Sequence, residues 1–184
     1  MDSDAFVAFA GDTRIASGAL AEVAAAAKRA LERDGQTGVL VFDAATGKVR
    51  DLDLRGTEAE VRARHAPDLP AVTRGRPKLG VTAREVTLLP RHWDWLAAQP
   101  GGASVTLRRL VEAASRTRDP AADLRSRREA AYRFMSAMAG DRPGFEDAAR
   151  ALFSGDDGGL AKASQTWPAD IGDQVLEYLR RSEP

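Results

Sequence analysis

FVAFAGDTRIASGALAEVAAAAKRALERDG, residues 6–35, is the stretch whose reading decides the fold. Phe6, Val7, Ala8 and Phe9 form a short apolar run closed by Gly11-Asp12, and Thr13 to Ser17 returns as a second strand ending at Gly18. Leu20, Val23, Ala24, Ala27 and Leu31 then recur at helical spacing, which predicts one amphipathic helix. Asp34-Gly35 supplies its stop, because glycine adopts the left-handed cap conformation without strain. Val39 to Phe42 reads as a third strand, Ala44 to Gly47 as a turn, and the alternating run Lys48 to Leu54 as a fourth strand. The order is ββαββ, and residues 1–56 are expected to make one small α/β domain. Asp51 and Asp53, two apart on the expected strand, point to one face; a solvated face explains them better than a metal site.

After Gly56 the apolar period is lost, and residues 57–83 read as a linker. EAEVRARHA adds a short helix with His65 at its solvated edge, and PDLPAVTRGRPKLG follows, with three prolines and two glycines. Residues 84–118 have the order strand, helix, turn, helix. Arg84 to Pro90 alternates, and Arg91 to Gln99 is helical with Trp93 and Trp95 as core anchors. Pro100-Gly101-Gly102 breaks the chain, and Ser104 caps a second helix with Leu107, Leu110, Val111 and Ala114 on one face. Residues 119–184 read as helices. One runs from Asp119-Pro120 to Gly140 and the next over Phe145 to Phe153. Gly155 to Gly159 is a loop, followed by helices over Leu160 to Trp167 and Asp170 to Arg180. Phe134, Met135, Met138 and Phe153 are expected in the core. The fold class is therefore α+β: a small N-terminal unit, a basic linker and a mainly helical 84–184.

Hydrophobic content of 43% and charged content of 29% suit a folded protein, and no cysteine is present for disulfides or thiolate metal sites. No run reaches the length of a membrane-spanning helix, and the acidic start MDSDAFVAFA lacks the basic lead of a secretory signal, so a cytoplasmic location is expected. Net charge is zero but unevenly spread: −3 over residues 1–70, +7 over 71–133 and −4 over 134–184. A basic middle of that kind is the footprint expected for a polyanion partner. The acidic helical tail is in turn expected to shield that middle when no polyanion is present. His65 and His92 are isolated, and no nucleophile elbow, HExxH or phosphate loop occurs, so the sequence points away from an enzyme and calls for no cofactor.

Within the linker, Arg74, Gly75, Arg76, Pro77 and Lys78 resemble the core of the AT-hook. Glycine lets such a backbone lie flat, proline keeps it extended, and the arginines spread along the narrow, negative minor groove of A·T tracts. The 84–118 segment resembles the ribbon-helix-helix fold. In that family two chains pair their strands and the ribbon enters the major groove. The resemblance thus implies a homodimer, with Arg84, Val86 and Leu88 toward bases and Ser104 toward a phosphate. The match departs in placing Glu85 and Thr87 on the face to be buried, and apolar side chains do not read guanine. Over nearly its full length the chain also resembles a bacterial family catalogued as a domain of unknown function (number 2239), through FVAFAGDTRIASG, VLVFD, DLDLRG, GRPKLGV, REVTLLPRHWDWLAAQPGGAS and AAYRFMSAMAGD. That likeness implies no activity, cofactor or residue role. The sequence thus points to a DNA-binding, transcription-regulating protein. Arg74, Arg76 and Lys78 would enter the minor groove of A·T-rich duplex, and Arg84, Arg108, Arg109, Arg116 and Arg118 would meet phosphates. The alternative is a non-enzymatic scaffold for protein interaction.

Overall fold

Phe6, Val7, Ala8 and Phe9 are all buried, because the strand they form lies at the centre of a sheet covered on both faces. The computed structural model describes residues 5–35, 37–67, 84–116 and 119–180, and shows an α+β protein with a three-stranded antiparallel sheet and helices over the remainder. In chain order the elements are β1 (Ala5–Ala10), β2 (Thr13–Ala19), α1 (Leu20–Arg33), β3 (Val39–Asp43) and α2 (Glu58–Arg64). They continue as α3 (Pro90–Ala97), α4 (Gly102–Arg116), α5 (Pro120–Ala139), α6 (Phe145–Ser154), α7 (Asp157–Ala163) and α8 (Ala169–Leu179). Contacts divide them into two compact units. A sheet unit runs to Asp68 and resumes at Ala121; a hairpin unit spans Leu69–Pro120.

In the sheet unit the strand order is β2-β1-β3, with β1 antiparallel to both neighbours. Alternation along β1 sends Phe6 and Ala8 toward α1, where they pack with Val23, Ala27 and Val41. Val7 and Phe9 face the other way, into a core shared with Phe42 and with Phe134, Met135, Leu160, Ile171, Val175 and Tyr178 of the C-terminal helices. Phe134 sits at the centre of that core, with ring centroids 5.2 Å from Phe9, 4.8 Å from Phe42 and 5.6 Å from Tyr178. The C-terminal helices therefore complete the N-terminal sheet. Polar contacts make the same join: Arg14 N donates to Asp170 at 2.8 Å, Arg14 pairs with Glu177 at 2.7 Å, and Tyr178 donates its hydroxyl to the Asp43 carbonyl at 3.1 Å.

Several expectations need correction. No fourth strand forms beside β3. The hairpin begins, with Asp43 N donating to Lys48 O (2.9 Å) and Arg50 N to Val41 O (2.7 Å), and pairing stops at a single bridge between Phe42 and Val49. Beyond it Leu52 and Leu54 pack against the α1-side cluster, while Arg55 and Arg64 hold the Asp53 carboxylate, so the chain leaves the sheet edge. Gly47, at φ +65°, makes this turn possible, because a Cβ there would collide with the Ala130 carbonyl of α5. Residues 155–159 are not wholly loop. The Asp156 side chain accepts from Gly159 N and starts α7 at Asp157. Phe153 is half exposed, stacking on Tyr132 at 5.3 Å instead of entering the core. His65 is the C-cap residue of α2, its Nε2 3.2 Å from the Asp53 carbonyl, and is not fully solvated.

Candidate nucleic-acid interface

The hairpin unit is built from α3 and α4. Pro90 opens α3, where its missing N–H is no loss, and Leu96 is the one side chain of that helix that is buried. Trp93 and Trp95, expected as anchors, are 40% and 51% exposed. The helices reverse through Gly101 and Gly102, whose φ values of +85° and +72° exclude most other residues. Because α4 begins at Gly102, Ser104 lies inside its first turn and is not the cap. Ser104 is exposed, and its carbonyl accepts from Arg108 Nε at 3.1 Å. Residues 84–89 have no regular secondary structure, so the expected strand is not formed within the chain.

The expected contact residues fall into three groups. Arg74, Gly75, Arg76, Pro77, Lys78 and Arg118 lie outside the described residues, and Arg116 is described by its backbone position at the end of α4. Arg84, Ser104, Arg108 and Arg109 are all exposed in the hairpin unit, where α4 holds the last three within two turns. Arg91, missed in the sequence reading, is an exposed cation in the first turn of α3. Its place directly after Pro90 was the available signal.

In the sheet unit some cations are held by acids, Arg14 by Glu177, Arg29 by Glu58, Arg62 by Glu22, Arg133 by Glu129 and Arg142 by Asp12, while others, such as Arg50 and Arg125, have no ion pair among the described residues. Among the described residues, Arg84, Arg91 and Arg109 have no such partner, and the Arg108 side chain bonds only its own helix's backbone. Asp43 and Asp53 are occupied structurally. Asp43 accepts from Ala45 N, Thr46 N and the Thr46 hydroxyl, and the Arg55 guanidinium holds the Asp53 carboxyl well below the usual carboxylate range. Among the described residues no cluster of three acids or histidines could hold a metal, and no helix is long and apolar enough to cross a membrane.

Fold and surface together define an α+β protein with a three-stranded sheet unit and a helical hairpin unit in which Arg84, Arg91 and Arg109 have no acidic partner among the described residues. The chain belongs to the uncharacterized protein family conserved in bacteria designated DUF2239, whose model matches residues 5–179. No curated protein and no solved structure matches it.

Proposed function

We propose that this is a DNA-binding, transcription-regulating protein whose basic middle contacts the duplex. Arg74, Gly75, Arg76, Pro77 and Lys78 would follow the minor groove of A·T-rich sequence, as in the AT-hook they resemble. Arg84, Arg108, Arg109, Arg116 and Arg118 would neutralise phosphates, and Ser104 would lie beside one in the first turn of α4. The reading is carried by one observation: Arg84, Arg108 and Arg109 are exposed in the hairpin unit and have no acidic partner among the described residues. Such a surface gains counterion-release free energy from a polyanion that a pre-paired surface does not.

A titration of binding against salt, on A·T-rich and G·C-rich duplexes, tests it. Affinity is expected to fall with salt with a slope of about −0.9 per phosphate contact. Arg74→Ala with Arg76→Ala is expected to abolish the A·T preference, and Arg108→Ala with Arg109→Ala to weaken both duplexes alike. Binding lost by ~150 mM salt on every duplex would reject the proposal. A second reading, a protein-interaction scaffold, is favoured by the exposed Trp95, Leu110 and Val111 of the hairpin unit.

A further inference from the structure

A cleft of about 520 Å³ lies in the sheet unit between α5 and the end of α6. Ala121, Leu124, Arg125, Arg128 and Glu129 line it from one face of α5, at i, i+3, i+4, i+7 and i+8, and Phe153 lines it from the last turn of α6. Of the four arginines of α5, Arg127 pairs with Asp123 at 3.4 Å and Arg133 with Glu129 at 3.0 Å. Arg125 and Arg128, the two in the cleft, have no acidic partner among the described residues. Glu129, the one acid in the lining, is already held by Arg133. Like charges a turn apart on one helix face repel each other, and an anion between them relieves that repulsion. Both walls are set in place. The Arg128 guanidinium donates to the Phe153 carbonyl at 3.4 Å and lies against Gly155, where a Cβ would collide with it, while most of its five donors stay open. The Phe153 ring rests on Tyr132, with centroids 5.3 Å apart, and is still 50% exposed.

We infer that this cleft binds a nucleotide, its phosphate between Arg125 and Arg128 and its base against the Phe153 ring. Two guanidinium groups around one anion suit a phosphate monoester, which carries roughly −1.5 to −2 charge at neutral pH, better than a singly charged carboxylate. An exposed aromatic ring beside them adds a stacking surface that inorganic phosphate cannot use and a base can. A volume of about 520 Å³ falls within the range of sites that hold cofactor-sized ligands. Since Glu129 is committed to Arg133, the lining offers no free side-chain acceptor to read a base edge, and discrimination among bases is expected to be weak. A free nucleotide and the 5′-phosphorylated end of a single strand present the same phosphate and ring. None of these residues is among those assigned to the duplex, so the inference does not rest on that reading.

The test is calorimetry on the full chain at about 50 mM salt, where charge contacts are little screened, with adenosine 5′-monophosphate, adenosine and inorganic phosphate as probes. The monophosphate should bind about tenfold or more tighter than either fragment. Arg125→Ala with Arg128→Ala should remove most of that binding with the far-ultraviolet helix signal unchanged. Phe153→Leu should weaken the monophosphate by about tenfold while leaving inorganic phosphate as in the wild type, a split that a damaged fold would not give. Arg150→Ala, at an exposed arginine of α6 outside the lining, should change nothing. A 5′-phosphorylated tetranucleotide that binds much tighter than the monophosphate would mark a strand end as the ligand, and equal affinity would mark the free nucleotide. A monophosphate that binds no tighter than inorganic phosphate, that ignores the arginine pair, or that is weakened as much by Arg150→Ala would overturn the inference. Duplex binding lost to salt while the monophosphate still bound would remove the DNA proposal alone, and the reverse would remove this one.

Discussion

Thr106 buries its hydroxyl inside the hairpin unit with no hydrogen-bond partner among the described residues, in a unit with few other buried side chains. An unmet buried hydroxyl costs about 1–3 kcal/mol, whereas an isosteric methyl at the same place would pack. Thr106→Val is therefore expected to stabilise the unit by about 1 kcal/mol. The change should appear as slower amide exchange across α3 and α4; faster exchange would show that the hydroxyl has a partner. Sequence alone could not single out Thr106, which sits one residue from the apolar stripe and looks like any polar helix-face residue. Trp93 and Trp95 mislead in the opposite sense. Residue type says aromatic side chains are worth burying, but only the position of a second helix decides which of them it reaches.

The clearest local signal at the scale of elements belongs to α2. Thr57 Oγ1 accepts from Glu60 N, and Glu60 Oε2 accepts from Thr57 N at 2.7 Å, which closes a capping box. These hydrogen bonds lower the Glu60 pKa, and the hydrogen bonds of Arg55 lower that of Asp53 just upstream. Both carboxylates are more acidic folded than unfolded. Their contribution is present above the ordinary carboxylate range and is lost as pH falls through the depressed folded values. Thermal melts from about pH 5 down to pH 2 should fall less steeply for Asp53→Asn with Glu60→Gln than for the wild type. Parallel slopes would show that neither group is linked to folding. The helices and first three strands were legible because each carries its own period and its own stop. The fourth strand was not, because Leu52 and Leu54 alternate as a strand would while being drawn to the α1-side cluster. Its failure is a competition between sheet edge and core that no local pattern records.

For the whole molecule, the expected acidic tail is not an appendage. Leu152, Leu160, Trp167, Ile171, Val175 and Tyr178 share the core of Phe9, Phe42 and Phe134. Deleting residues 140–184 would strip one face of the sheet, so that truncation is expected to abolish cooperative unfolding of the sheet unit and not merely to unmask the basic middle. A sharp thermal transition retained by the shortened chain would contradict this. Of the candidate interface, the sequence supplied the segregation of charge and the arginines themselves, since both are properties of the linear chain. Which arginines are left without acids could be read only from the folded chain, because pairs such as Arg14 with Glu177 and Arg142 with Asp12 join residues far apart in sequence. The sequence by itself determined where β1, α1, β3 and most of the later helices lie, through short-range periodicity and turn residues. The tertiary structure decided that β1 would be buried on both faces and that the first strands and the last helices would build one core. These are matters of which distant surfaces exclude water from one another, and periodicity along a chain names a face without naming what covers it.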